Sequence, residues 1–327
     1  MSDAQSAVEA GRSGRLRGYG LVVLAAACWA TGGLTAKWMF TSQSAVPEGW
    51  RVQPLGISVD PAVLSGGRAL AAFVLLAAYL LLTQRSALKV RRRDIWFLAV
   101  FGVIGMAGVH FTYFKTISLT NVATAILLEY LAPIVVLCVS VLFMGQKLTW
   151  MLPVGVGLSV IGCALVVGAL GGDGLQVSGA GIAWGLASAV FFATYSLMGT
   201  YAAGRFAPWT LLVWGLGFAT VFWLVALGPA KVLGLFGDVE TALAVVYVSV
   251  MSTIVPFGAF LLALHYIQPT QATVTATLEP VLAGIAAFVV FGESLTVTQL
   301  LGAGLVLLAI VVVQSRGVPE PTLPPAD

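Results

Sequence analysis

The chain has 327 residues, of which 59% are hydrophobic and only 9% are charged, and its formal net charge is +3. Soluble domains carry roughly 25% charged residues, and a soluble chain this apolar could not cover its own surface with polar groups. The composition therefore excludes a soluble protein and predicts one that lies in a membrane.

Ten apolar stretches are close to the ~20 residues that a helix needs to cross the hydrocarbon core of a bilayer. Only helices or closed barrels satisfy every backbone group in lipid, and the alternation typical of barrel strands is missing from this sequence. The sequence predicts an all-α integral membrane protein with about ten transmembrane helices, at 19–40, 61–83, 95–117, 121–143, 150–170, 179–201, 209–229, 241–264, 271–291 and 297–314.

The first predicted helix follows a basic segment, residues 1–18, which we interpret as a cytoplasmic tail. A cleaved signal peptide is the alternative, but the apolar run continues to Phe40. Lys and Arg concentrate in alternate connections, and such connections favour the cytoplasm. We therefore predict a multi-pass protein of the cell (inner, cytoplasmic) membrane with both termini in the cytoplasm, ending in a Pro-rich, disordered tail at 315–327.

The fourth and fifth predicted helices return in the ninth and tenth. Pro133 recurs as Pro280, and the GQKLT turn that follows the first copy recurs at the same offset as GESLT. The first turn carries Lys147 and the second carries Glu293. Because basic residues favour the cytoplasmic side, turns of opposite charge indicate that the two copies cross the membrane in opposite directions.

The repeated unit contains five helices, an odd number, so the second copy must enter the membrane from the opposite face. A short match in the first and sixth helices, Trp29-Ala-Thr and Phe192-Ala-Thr, supports the same unit. We predict two inverted five-helix repeats, at 19–170 and 179–314. Inverted repeats are typical of secondary transporters.

The duplicated pattern of small residues, a proline, a G-[EQ]-x-L-T turn and a glycine-rich helix resembles the EamA-type family of the drug/metabolite transporter superfamily. The resemblance extends from about residue 19 to residue 314. It implies a ten-helix transporter of small metabolites, in a family that includes many amino-acid exporters, with both termini inside. The chain departs from the family at the first turn, where Gln146-Lys147 replace the usual Glu-Arg, and in the long loop 41–60.

Three predicted helices each carry an ionisable residue, and the three residues lie at a similar depth in the membrane. At a rise of about 1.5 Å per residue, Arg68, His110 and Glu129 lie roughly 10–12 Å below the outer ends of the second, third and fourth helices. A charge in the bilayer costs at least about 2.5–3.5 kcal/mol, so we predict a polar cluster facing a shared cavity, in which Arg68 and Glu129 neutralise each other. The alternative is that Arg68 extends to the headgroups and Glu129 only ties helices together.

Glutamate and proline occur together in matching helices of both halves. Glu129 precedes Pro133 by one turn, and Glu279, which we interpret as its pseudo-symmetry mate, directly precedes Pro280. A proline leaves a backbone carbonyl unpaired, which is costly in lipid unless the site faces protein or a water-filled cavity. We therefore predict that Pro133 and Pro280 mark helix breaks along the transport path.

Aromatic residues on the helices predicted to face the centre would add a surface for stacking and cation–π contacts with a zwitterionic or aromatic metabolite. Ordinary helix packing is the alternative for each of them. The residues are Trp29, Tyr113, Tyr130, Phe192 and Tyr195.

We predict a secondary-active transporter that exports a small metabolite, such as an amino acid, by alternating access of the two repeats. A membrane channel or an intramembrane enzyme is the alternative, but the sequence lacks a repeated filter and paired catalytic groups. No cofactor motif, metal-ligand spacing or basic nucleic-acid arm occurs in it, so we expect no cofactor, metal or nucleic acid. A small-molecule substrate and the lipid bilayer are the expected partners, and monomer and homodimer are both open.

Glu129 lies beside Tyr130 in a segment predicted to line the path. We hypothesise that this carboxylate exchanges a proton, or binds the ammonium group of the substrate, as the protein alternates between the two faces. Glu279 would act as a weaker second station or as a gate contact.

Overall fold

The computed structural model describes residues 2–40, 51–54, 56–57, 59–120, 122–169, 178–292 and 296–314. The turn residue Glu293, most of the long loop 41–60 and the tail 315–327, for which the sequence predicts disorder, lie outside the described residues.

The described residues form helices and connecting turns, without a strand. Nine helical spans among them are long and apolar enough to cross a membrane. The predicted all-helical membrane architecture is therefore confirmed, with nine candidate spans where ten were predicted. In chain order the main helices are α1 (Ser2–Phe40), α2 (Pro61–Thr83), α3 (Ile95–Val100, Phe101–Gly108 and Val109–Leu119), α4 (Val122–Glu129 and Ala132–Phe143), α5 (Met151–Val166), α6 (Gly179–Ala202), α7 (Pro208–Leu227), α8 (Val239–Ser249, Val250–Ile254 and Val255–Ala263), α9 (Pro269–Ala276 and Leu278–Phe291) and α10 (Val297–Gln314).

Two helices differ from their predicted bounds by four residues or more at one end. Helix α5 ends at Val166 and has 16 residues, whereas the sequence predicts a span to residue 170. Gly168 takes a φ of +75°, a left-handed conformation that ends a helix. Helix α1 begins at Ser2 instead of residue 19, so the helix continues through the basic segment that precedes the predicted membrane span.

Four helices are interrupted near mid-length, and the interruptions come in matching pairs. Helices α3 and α8 each contain a π-helical segment, Phe101–Gly108 and Val250–Ile254. Helix α4 breaks at Tyr130–Leu131, and α9 breaks at Thr277. Each of these two breaks lies three residues before a proline, so the predicted helix breaks near Pro133 and Pro280 are present on the N-terminal side of each proline.

Helix packing follows a regular exchange between the two halves of the chain. Helix α1 packs on α8 and α9, and its counterpart α6 packs on α3 and α4. Likewise α2 packs on α7 and α8, and α7 packs on α2 and α3. Helices α5 and α10 pair with each other. These main packing partners are thus matched when each helix is replaced by the one five places along the chain.

The α5–α10 pair is close because glycines face each other across it. A Cβ on Gly162 would lie 2.9 Å from the carbonyl oxygen of Gly302, and a Cβ on Gly302 would lie 2.7 Å from that of Gly162. Small residues let membrane helices approach at the backbone, where dispersion contacts replace the missing hydrophobic driving force. Neither helix of this pair lines the central cavity, whose walls come from α1, α2, α3, α4, α6, α8 and α9.

Candidate functional site

A central cavity lies between helices of both halves and contains about 740 Å³ of atom-free space, its open part included. Its lining combines charged, aromatic and small side chains. Eight of the nine path residues predicted from the sequence lie on its wall, namely Trp29, Arg68, His110, Tyr113, Glu129, Tyr130, Phe192 and Glu279.

Arg68 is bound to the interrupted part of α8. Its Nε donates to Thr253 Oγ1, and one Nη donates to the backbone carbonyl of Ser252. Pro256 has no N–H to offer to the carbonyl four residues earlier, which is that of Ser252. The guanidinium, 5.4 Å from the ring centroid of Phe114, therefore satisfies a carbonyl that the proline leaves available. This explains how an arginine that is only 5% exposed is held inside the bundle.

The predicted mutual neutralisation of Arg68 and Glu129 does not take the form of a direct ion pair. Within the described residues, neither of these side chains forms an ion pair, and the pair that is present joins Arg205 to Asp94. Arg68 is instead anchored on α8, while both carboxylates of the cavity are bonded to hydroxyl groups. Its charge faces theirs across the cavity.

The two carboxylates have different partners. Ser188 on α6 donates its hydroxyl to Glu129, and Tyr130 on α4 donates its hydroxyl to Glu279 Oε2 at 2.6 Å. The second bond joins a residue at the break of α4 to a residue just after the break of α9. Each glutamate is thus tied to the other half of the chain.

Glu129 and Glu279 are not pseudo-symmetry mates. With Pro133 aligned on Pro280, the position of Glu129 corresponds to Ala276, and Glu279 lies three residues further along. Three residues are close to one helical turn, so both carboxylates still reach one cavity from matching faces. The two carboxylates are therefore close because of helical geometry. Strict symmetry, which the sequence suggested, is not the reason.

Aromatic rings form the opposite part of the wall. Trp29 packs edge-on against Phe192 and Phe257, with ring centroids 5.8 and 5.2 Å apart. Tyr195, which the sequence predicts on the path, is not among the lining residues. It stacks behind Phe192 and donates its hydroxyl to the carbonyl of Phe257 at 2.9 Å. Because the hydroxyl of Tyr195 is hydrogen-bonded within the protein, this residue supports the aromatic wall from behind.

His110 lines the cavity with neither ring nitrogen paired among the described residues. The side chain is 2% exposed, and its ring lies edge-on to Phe257 at 5.0 Å. Leaving a buried donor or acceptor unpaired costs about 1–3 kcal/mol. The imidazole is therefore available to hydrogen-bond a molecule that occupies the cavity.

Sequence reasoning missed the contribution of α8 and of one serine on α6. Ser252 and Phe257 line the cavity, Thr253 holds Arg68, and Ser188 holds Glu129. The contribution of α8 could have been found in the sequence, because Pro256 inside an apolar span indicates an unpaired carbonyl nearby. Ser188 carried no comparable signal, since serine is common in membrane helices.

Two contacts join the halves of the chain at the end of the bundle predicted to be cytoplasmic. Arg205 Nη2 lies 2.7 Å from Asp94 Oδ1. Thr270 donates its hydroxyl to Gln146 Oε1 at 2.9 Å, which brings the first turn against the start of α9. Separation of the halves at this end requires that both contacts break.

A multi-pass helical bundle around a polar and aromatic central cavity is the architecture of an integral membrane transporter. The chain belongs to the EamA-like transporter family, whose model matches residues 16–168 and again residues 179–315.

Relatives agree with this class. An uncharacterized transporter of Archaeoglobus fulgidus is 30% identical over 67% of this chain and 76% of its own length. The threonine/homoserine exporter RhtA of Escherichia coli K12 is 26% identical over 64% of this chain and 68% of its own length. A solved crystal structure superposes with a TM-score of 0.70 at 20% identity, covering 93% of this chain and 97% of that one, and this likeness shows the fold alone.

Proposed function

We propose that the protein is a secondary-active transporter of the cell membrane that exports a small zwitterionic metabolite, such as an amino acid. The observation that carries the proposal is the composition of the central cavity. A buried arginine and two carboxylates face a common space that is walled by aromatic rings. Such a cavity offers a partner to each charged end of a zwitterion and an apolar surface to its side chain.

The cavity's charges favour one orientation of such a substrate. A carboxylate would bind at Arg68 with a hydrogen bond from His110, and an ammonium group would bind at Glu129 and Glu279. The substrate side chain would then lie against the wall of Trp29 and Phe192. The similarity to RhtA, a threonine/homoserine exporter, supports the amino-acid class.

Alternating access of two inverted repeats is the mechanism we propose. The exchange of packing partners between helices five places apart supports it, because a symmetric bundle can adopt a second, mirrored opening. The contacts Arg205–Asp94 and Thr270–Gln146 would be the cytoplasmic gate. The breaks in α4 and α9 leave helix segments that can tilt separately on either side of the cavity.

We further propose that Glu129 couples transport to protons, with Glu279 as a second station. Each carboxylate accepts a hydrogen bond from a hydroxyl of the opposite half, from Ser188 or from Tyr130. Protonation of a carboxylate replaces an acceptor with a donor, and it would loosen a bond between the halves. Proton uptake and the movement of the halves would then be one event.

The test is transport by purified Glu129→Gln protein in proteoliposomes, with radiolabelled L-threonine as the probe. Flux driven by a pH gradient and counterflow are measured in parallel, and Glu240→Gln, an exposed acid at the start of α8, is the matched control. Proton coupling requires that the variant lose gradient-driven flux and keep counterflow.

The other outcomes are equally distinct. Loss of both activities assigns Glu129 to substrate recognition, and full gradient-driven flux makes it a structural residue. Counterflow by the wild-type protein also separates a carrier from the channel alternative, since a channel does not exchange labelled for unlabelled substrate against a gradient. Failure of threonine and of a panel of other amino acids would contradict the proposed substrate class.

A further inference from the structure

A second cavity, separate from the central one, lies at the end of the bundle where α2 ends and α7 begins, and the proposed gate residues Asp94 and Arg205 are on its wall. It contains about 1120 Å³ of atom-free space, its open part included. The loop before α3 and the turn before α7 form its walls together with His265 at the end of α8. The basic side chains on these walls are Lys89, Arg91, Arg93 and Arg205.

This pocket keeps a strong excess of positive charge. Asp94 compensates Arg205, but Lys89, Arg91 and Arg93 are exposed and form no ion pair within the described part of the chain. Arg92, in the same loop, does not line the pocket.

One wall of the pocket is held in place by packing. The guanidinium of Arg205 lies over the rings of Phe97, Tyr201 and Phe206, between 5.5 and 5.7 Å from their centroids. Together with the 2.7 Å contact to Asp94, these rings fix the side chain in one position. The Arg205 wall of the pocket is thus fixed, while Lys89, Arg91 and Arg93 line the pocket as exposed, unpaired cations.

An apolar groove begins next to this pocket. It runs between α2 and α7 on the outside of the bundle, and it contains about 1110 Å³ of atom-free space with its open part included. Leu88 lines the groove, and the next residue, Lys89, lines the basic pocket. On the other helix the groove residues start at Val213, and the pocket residues end at Ala207, just before α7.

We propose that the pocket and the groove together bind one anionic phospholipid, with its phosphate in the basic pocket and an acyl chain in the groove. Basic pockets between membrane helices on the cytoplasmic side hold anionic headgroups through charge and hydrogen bonds. The positive-inside rule is another explanation for the basic residues, because Lys and Arg on this side also orient the protein in the membrane. Orientation explains neither the concave pocket nor the apolar groove that continues from it.

The experiment measures lipid binding to the purified full-length protein in detergent, by native mass spectrometry and by the shift in melting temperature. Dioleoyl phosphatidylglycerol, dioleoyl phosphatidylcholine and inorganic phosphate are compared. The expected result is saturable binding and stabilisation by phosphatidylglycerol, with neither from phosphatidylcholine.

The pocket is tested with Arg91→Gln/Arg93→Gln, and Arg92→Gln is the control from the same loop. These side chains are exposed, so the variants should fold. We expect the double variant to weaken binding of phosphatidylglycerol roughly 10- to 30-fold, given the contribution of each basic residue near an anionic lipid. Arg92→Gln should bind as the wild type does. Equal binding by the double variant would overturn the proposal.

The groove is tested with Ala77→Phe, which places a ring among the groove residues, and Ala78→Phe, which places the same ring on an exposed part of α2 outside the groove. Only Ala77→Phe should weaken binding of phosphatidylglycerol. If inorganic phosphate stabilises the protein as well as the lipid does and Ala77→Phe has no effect, the pocket binds a free anion and the lipid proposal is wrong. None of these measurements depends on transport, so their outcome is independent of the proposed function.

Discussion

Arg68 shows how a charged residue is kept inside a bundle that lies in lipid. Two of its donors are used by Thr253 and by the carbonyl of Ser252, and the carboxylates of Glu129 and Glu279 lie across the cavity. Arginine suits this role because its planar group donates several hydrogen bonds at once and stays charged. The residue therefore ties α2 to α8 and sets the electrostatic potential of the cavity.

At the residue scale we predict that Arg68→Gln lowers transport at least tenfold and also lowers the melting temperature. The substitution removes the only cation that lines the cavity within the described residues, and it leaves two carboxylates without a positive group. Breaking a buried direct ion pair costs about 3–5 kcal/mol. A smaller loss of stability is expected here, because the charges are not in contact.

A second substitution distinguishes this electrostatic effect from simple loss of the α2–α8 bonds. Adding Glu129→Gln or Glu279→Gln to Arg68→Gln should restore part of the melting temperature, because one uncompensated carboxylate disappears. Thr253→Val, which removes one acceptor and keeps the charge, should cost less than Arg68→Gln. A melting temperature of Arg68→Gln equal to that of the wild type would mean that this arginine plays no part in holding the cavity.

Prolines and glycines decide the shape of the helical elements. Prolines near the centre of α4, α8 and α9 are accompanied by breaks or a π segment, and these expose backbone and side-chain groups to the cavity. Glycines act where helices must approach, as between α5 and α10. The irregular elements thus surround the cavity, while the regular α5–α10 pair lies to one side.

At the element scale we predict that Gly162→Ala destabilises the protein by about 1–3 kcal/mol, the usual cost of overpacking. Its Cβ would lie 2.9 Å from both the carbonyl oxygen of Gly302 and the backbone nitrogen of Val306, so two helix backbones would have to separate. Thermal unfolding in detergent measures the change.

Gly304→Ala is the matched control on the same helix pair. A Cβ at Gly304 meets no atom within 4 Å, and alanine favours helix over glycine by up to about 1 kcal/mol. This variant should therefore melt at the same temperature as the wild type or slightly higher. Equal melting temperatures of the two alanine variants would show that α5 and α10 do not need the close approach at Gly162.

The whole molecule is a multi-pass membrane protein, and the bias of its basic residues predicts how it lies in the bilayer. In the predicted topology, loop 84–94, the turn at Lys147 and Arg205 lie on one side, whereas Arg51 lies on the other. The basic pocket next to α3 and the contact Arg205–Asp94 are on the Lys- and Arg-rich side. The positive-inside rule predicts that this side faces the cytoplasm.

At the scale of the whole molecule we predict that single cysteines at residues 50 and 88 are labelled from opposite sides of intact cells. The experiment uses a background in which Cys28, Cys138 and Cys163 are replaced and transport is retained. A membrane-impermeant maleimide should label a cysteine at residue 50 in intact cells, and it should label a cysteine at residue 88 or one added at the C-terminus only after permeabilisation. Labelling of residues 50 and 88 from the same side would contradict the ten-helix inverted-repeat model.

The sequence by itself determined that this is a helical membrane protein, where most of its spans lie, and eight of the residues that line the cavity. It could do so because the bilayer makes apolar length decisive and makes each buried charge conspicuous. The duplicated Pro133 and Pro280 also located the breaks in α4 and α9 to within one turn.

Only the tertiary structure decided which polar groups bond to one another. Arg68 bonds to Ser252 and Thr253 and not to Glu129, Tyr130 bonds to Glu279, and Tyr195 lies behind the wall that it was predicted to form. These contacts join positions far apart in the chain. They depend on the rotation of each helix about its axis, which changes by about 100° for every residue of register. Hydropathy sets the depth of a side chain in the membrane, but the packing of neighbouring helices sets its direction.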